Sequence, residues 1–169
     1  MLYDVGYCTV FKETRGKKDY QWLSGRMFIP CGDGGWQARE LSGTSNIKYY
    51  SNEGWSKTRT VYNLAQASKT PDMCVLCEGV TDVWRVGERG VAIFGKSLSK
   101  TQADILARNF STVAVALDTD AFEGKNPSGT KAMVELNRRG VKTFRVMLPA
   151  GKDPADCGKD EFWSLVNTS

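Results

Sequence analysis

The stretch "AVALDTDAFEGKNPSGTKA", residues 114–132, decides how this chain is read. Four small or apolar residues run straight into Asp118 and Asp120, two carboxylates separated by a single threonine. A short, continuous apolar run of this kind predicts a strand covered on both faces, as in a parallel sheet. The segment that follows it, "SGTKAMVELNRRG", has a helical period and a glycine, Gly140, where the helix should stop.

The same alternation extends to both sides. "MCVLCE" (73–78), "GVAIF" (90–94) and "VKTFRVML" (141–148) are further short strands, and "VTDVWRVGER" and "SKTQADILARNF" are helices between them. The second of these helices opens with Ser99 and has Gln102 three residues on, a reciprocal capping box. Ile105, Leu106 and Phe110 form its apolar stripe, and "KDEFWSLV" predicts a last helix. Strands alternating with helices give βαβ units, hence an α/β domain with a mainly parallel sheet.

Ligands of parallel sheets bind beyond the carboxyl ends of the strands, and Asp118 and Asp120 leave the third strand at that edge. If the backbone stays extended there, residues two apart point to one side. Like charges held together repel, and a hard divalent cation, which prefers oxygen ligands, relieves this. An isolated D-x-D more commonly opens a surface loop. Here, however, Glu78 ends the first strand on the same edge, with Asp82 four residues later, and Asp153 and Asp156 follow the last strand.

The whole composition bounds the remaining possibilities. The chain has 169 residues, 41% hydrophobic and 25% charged, which suits one core or a core with a small lobe. A net charge of +4 leans weakly towards anionic partners. No run approaches the ~20 apolar residues of a membrane span, and the N-terminus lacks a secretory layout, so a cytoplasmic protein with no membrane partner is expected. Five cysteines, Cys8, Cys31, Cys74, Cys77 and Cys157, are too scattered for a disulfide framework. The absence of histidine removes the commonest general base, leaving catalysis to carboxylates, lysines, thiols or bound cations.

Residues 1–70 read differently. "RMFIPC" (26–31) and "WQARELS" (36–42) flank the glycine-rich turn "GDGG", an antiparallel hairpin in a small mixed lobe rich in aromatics and lysines. The junction with the α/β domain, 71–169, is expected near "SKTPD".

Taken in order, "CEGVTD" (77–82), "GVAIFGKSLSKTQADIL" (90–106), "VALDTD" (115–120) with "GTKA" (129–132), and "LPAGKDPAD" (148–156) resemble the successive motifs of the TOPRIM domain, in the version found in bacterial and phage DnaG-type DNA primases. Upstream, "GRMFIPCGDGGWQAREL", "IKYY" and "SKTRTVYNLAQA" are similar to the basic lobe that precedes TOPRIM there. The resemblance implies that Glu78, Asp118 and Asp120 bind catalytic Mg2+ or Mn2+, with Asp82 and Asp153 close by; Asp156 is a further candidate metal ligand. It further implies that Arg39, Lys48 and Lys57 contact nucleic acid or nucleotide phosphates; Arg59, expected beside the acidic site, would join them, both lobes lining one groove.

The activity implied is synthesis of short RNA primers on a single-stranded DNA template from ribonucleoside triphosphates, in a bacterial or phage-infected cell. A replicative helicase or a separate zinc-binding domain would be the partner, the chain resembling a catalytic core. The alternatives are a metal-dependent TOPRIM nuclease and a non-catalytic nucleic-acid-binding module. This chain departs from the family in the loop 121–128, which is enlarged, and in "KDPAD", where the second acid comes one residue late.

Two decoys are set aside. "GKNPSGTK" (124–131) nearly spells a phosphate-binding loop, but its threonine precedes its lysine, the reverse of what the motif needs. Cys74 and Cys77 form C-x-x-C without a second ligand pair, the pattern of buried structural thiols in an apolar strand. The aromatics Trp36, Tyr49, Tyr50 and Trp55 are expected to pack as a small core.

Overall fold

A computed structural model describes residues 5–8, 23 and 25–169. They form two compact units divided between Ser56 and Lys57.

The first unit is a four-stranded antiparallel sheet in the order β1 (Gly6–Cys8), β2 (Arg26–Gly32), β3 (Gly35–Arg39), β4 (Tyr49–Ser51). Asp33 and Gly34 make the β2–β3 turn with φ of 53° and 70°, the doubly left-handed geometry that matches strand twist in a two-residue hairpin. The aromatics expected to form a core are half-buried, and Trp36 packs at a tilt against Phe28 and Tyr50, 5.1 Å and 5.8 Å away centroid to centroid.

The second unit is an α/β layer. Its sheet contains β5 (Met73–Cys77), β6 (Gly90–Ala92), β7 (Thr112–Val115) and β8 (Lys142–Arg145), all parallel, in the order β6-β5-β7-β8. The helices are a single turn α1 (Leu64–Ala67), then α2 (Val80–Val86), α3 (Lys100–Asn109), α4 (Ser128–Asn137) and α5 (Lys159–Thr168). The central strands carry no solvent-facing side: Cys74 to Cys77 and Val113 to Ala116 are all 0% exposed, which is why their sequence is apolar without alternation. Gly140 takes φ 82° just beyond α4, ending it as the sequence predicts.

Residues 57–70 belong to this second unit, whereas a junction near 70/71 is expected from sequence. The reason is non-local bonding. Tyr62 bridges Ala92 as an antiparallel extension of β6, and Val61 and Ala67 enter the α/β core. The buried amide of Gln102 in α3 donates to the carbonyls of Lys57 and Thr60. Among the described residues, no helix is long and apolar enough to cross a membrane.

Candidate metal centre

Strand order makes the site. From β5 the chain crosses through α2 to β6 on one side, and from β7 it crosses through α4 to β8 on the other. Adjacent strands whose connections leave in opposite directions open a crevice at their carboxyl ends. Glu78 is the first residue beyond β5, and Asp118 lies three residues beyond β7.

There Glu78, Asp118 and Asp120 each present a carboxylate oxygen within 4.8 Å of the others. Extended backbone is not what pairs the aspartates, contrary to expectation. The chain leaves β7 and turns into a single 3₁₀ turn, Thr119–Phe122, with the Ala121 amide donating to the Asp118 carbonyl at 2.9 Å. Asp118 caps that turn and Asp120 sits within it, so curvature rather than pleat alternation brings the two together.

Glu78 is the half-buried member. Its Oε1 is sealed from solvent and has no hydrogen-bond partner among the described residues. Burial first, and the Asp118 charge second, push its carboxyl up to about 7, while Lys96 and the Asp118 backbone N–H act against the rise. A carboxylate with a buried oxygen lacking a donor, grouped with two further carboxylates, fits a hard divalent cation, whose ligands of choice are carboxylates and water.

The other acids named from sequence are not in the three-carboxylate group. Asp82, 4% exposed at the third position of α2, accepts the Gly79 N–H at 2.9 Å. Asp153 caps the 3₁₀ turn Pro154–Asp156 by accepting the Asp156 N–H at 2.9 Å, and the Asp156 carboxylate returns to the Asp153 N–H at 3.3 Å. Each of these carboxylates serves a helix start. Asp82 and Asp153 nonetheless remain near the strand end. With Asp118, their charges add to burial in pushing the Cys77 thiol well up. Cys74 is likewise buried and pushed up, so both are inert thiols in the protonated form.

Of the four basic residues named from sequence, Arg39 ends β3, bonds the Tyr49 hydroxyl and places its guanidinium 5.1 Å from that ring. Lys48 is exposed just before β4. Lys57 and Arg59 bracket the 3₁₀ turn Lys57–Arg59 of the second unit, half-buried and exposed respectively.

Sequence reasoning missed three residues. Lys96 donates to Asp120 and forms an ion pair with it. Arg26, 4% exposed, donates to the Ile47 carbonyl at 2.9 Å and to the Ser45 hydroxyl at 3.0 Å, holding the loop that leads to Lys48. Gln102 was seen only as a cap; its Oε1 does accept the Ser99 N–H, but its Nε2 also braces residues 57–60. A lone basic residue in a loop or strand carries no sequence signal for such a role. In Gln102 the capping signal masked the second one.

Comparison with known proteins agrees with this geometry. Residues 75–157 match the Toprim-like family model. The DNA primase of Halalkalibacterium halodurans is 31% identical over 162 residues, covering 87% of this chain and 26% of that protein. The DNA primase of Listeria innocua is 35% identical over 121 residues, 64% of this chain and 19% of that one. Among solved structures, the zinc-binding and RNA polymerase domains of the Aquifex aeolicus primase superpose with a TM-score of 0.73 and 26% identity, over 95% of this chain and 44% of that one. A DnaG primase catalytic domain bound to single-stranded DNA superposes with a TM-score of 0.71 at 22% identity, covering 95% of this chain and 56% of that one.

The α/β unit is therefore a TOPRIM domain. More particularly, it is similar to the TOPRIM domain of DnaG-type primases, and the chain spans about a quarter or less of the curated relatives it matches.

Proposed function

We propose that this chain is the RNA-polymerase core of a DnaG-like primase, a template-directed nucleotidyltransferase that makes short RNA primers on single-stranded DNA. The observation that carries this is the meeting of Glu78, Asp118 and Asp120 at the switch point of a TOPRIM sheet. Primase-type likeness extends beyond that domain, since the Aquifex aeolicus structure aligns with 95% of the chain.

Glu78, Asp118 and Asp120 would hold Mg2+ or Mn2+, with Asp82 and Asp153 close by. Bound there, such ions supply charge stabilisation for an attacking 3'-hydroxyl and a leaving pyrophosphate. The chain's own contribution is to fix three carboxylates before substrate arrives and to spend no histidine in doing so. Glu78 enters through a carboxyl that gives up its proton near neutrality, so that a cation takes the proton's place. Arg39, Lys48, Lys57 and Arg59 would bind phosphates of template or nucleotide, a sequence-independent and salt-sensitive contact. The single-stranded DNA held by a DnaG catalytic domain of the same fold supports that class of template. A replicative helicase and a separate zinc-binding domain are the partners this reading calls for.

The test is primer synthesis by the purified chain, with labelled ribonucleotides, single-stranded DNA and Mg2+ or Mn2+, beside Asp118→Asn and Asp120→Asn. Short RNA products that vanish in both variants are expected. Loss of the template that depends on the same two aspartates, without RNA product, would instead assign a nuclease.

A further inference from the structure

The acidic cluster carries its own cation. Lys96 lies in the loop after β6, far in sequence from both strand ends, yet its ammonium is bonded to Asp120. Glu78 and Asp118 are grouped with Asp120, so their negative charges gather at the same place.

Backbone, and not chance, delivers it there. Gly95 donates its N–H to the Glu78 carbonyl at 3.1 Å, stitching the loop to the residue that leaves β5. Phe94, immediately before, holds a left-handed φ of 61°, which a bulky residue adopts only when its surroundings enforce it. Its ring is edge-on to Tyr62 at 6.4 Å, and Tyr62 in turn accepts from the Trp84 indole N–H at 3.0 Å. The loop is thus pinned at Phe94 and Gly95, immediately before Lys96, while the Lys96 side chain itself stays about half exposed.

Three carboxylates this close would repel strongly without a counter-charge. Lys96 supplies one positive charge where a divalent cation would supply two, at an oxygen the cation would also use. We infer that Lys96 is a tethered counter-ion of the cluster: it occupies Asp120 in the metal-free protein, is displaced when a divalent ion enters, and thereby weakens and tunes the site's metal affinity. This rests on the metal-site reading proposed above.

The experiment is Mn2+ binding to the full chain, followed by electron paramagnetic resonance of the free ion and by calorimetry, for the wild type, Lys96→Gln, Lys96→Arg and Asp120→Asn. Because Lys96 is exposed, its variants should fold as the wild type does, which far-ultraviolet circular dichroism checks. Lys96→Gln should bind Mn2+ about three- to tenfold more tightly, as expected for removing a half-exposed competing charge. Lys96→Arg, which keeps the charge, should stay within about twofold of the wild type. Equal affinity in wild type and Lys96→Gln, with binding still lost in Asp120→Asn, would overturn the inference and leave the metal site standing. Weaker binding by Lys96→Gln would overturn it as well, by making Lys96 a helper of the metal. Absence of Mn2+ binding in every form, Lys96→Gln included, would overturn the metal site and this inference with it.

Discussion

The Phe122 ring lies so close over Gly129 that a β-carbon at residue 129 would come within 2.6 Å of it. The Arg145 guanidinium sits 4.1 Å from the centroid of the same ring. Phe122 closes the same 3₁₀ turn that carries Asp120, so this stack anchors the acidic turn to the start of α4 and to β8. Phe122 thus lies within the enlarged loop 121–128, of which Glu123 to Asn126 are exposed.

Gly129→Ala should therefore displace the ring and the turn together. Overpacking of this kind destabilises by about 1–3 kcal/mol. The expected result is a lower Tm and a weaker Mn2+ affinity, both restored in part by Phe122→Leu in the same chain. Thermal unfolding and Mn2+ titration of the single and double variants check it; additive losses would show that the two residues do not act through one contact.

Removal of the Gln102 amide should free residues 57–60. Gln102 is 1% exposed, and its two amide hydrogens serve the Lys57, Thr60 and Ile93 carbonyls at 2.9, 2.9 and 3.2 Å. Gln102→Leu keeps the volume but orphans those carbonyls, each lost partner costing about 1–3 kcal/mol. Hydrogen exchange should show faster amide exchange in the segment carrying Lys57 and Arg59, and a Tm lower by about 5–10 °C.

Arg26 plays the corresponding role in the antiparallel unit. Its bonds to Ile47 and Ser45 tie residues 45–47 to β2, and Arg26→Met should loosen the approach to Lys48 while sparing the α/β unit. Exchange protection lost around residues 44–48 but kept in β5 and β7 is the expected pattern; uniform loss across both units would contradict it.

Glu78 gives the metal-free protein a pH dependence of definite sign. Its carboxyl titrates near 4.5 in an ordinary setting and is pushed up to about 7 here, by burial and then by Asp118. Between those values the folded chain keeps a proton that the unfolded chain has lost, so stability falls as pH rises through that window. Solvent screening of a half-buried group holds the effect to about 1 kcal/mol, or about 2–4 °C in Tm. Metal-free Glu78→Gln should thus be more stable than the wild type at pH 8 and indistinguishable from it at pH 4. Saturating Mn2+ should reverse the order at pH 8, since only the wild type has the full set of carboxylates.

Much of this molecule was legible before any coordinates. Apolar runs without alternation marked β5 and β7 as central strands, because a strand covered on both faces leaves no position for a polar residue. The Ser99–Gln102 capping box placed the start of α3 to the residue. Glu78, Asp118 and Asp120 could be assigned to one sheet edge because strand direction in a parallel sheet is dictated by connection length and handedness.

Other assignments depended on contacts that no local pattern encodes. The spacing of Asp118 and Asp120 suggested an extended pair, but the chain turns after β7 and brings them together by curvature. Asp82, Asp153 and Asp156 were recognisable as acids at the right edge. Which backbone amides their carboxylates would accept depended on the exact start of a helical turn.

The sequence by itself determined the order of strands and helices, and with it the edge at which the acids emerge, since both follow from short-range periodicity and chain connectivity. Only the tertiary structure decided that residues 57–70 join the α/β unit, that Glu78 Oε1 is left without a donor, and that Lys96 meets Asp120. Those facts rest on residues 24 to 45 positions apart brought together by packing, and on a left-handed backbone turn at Phe94 that neighbouring rings enforce.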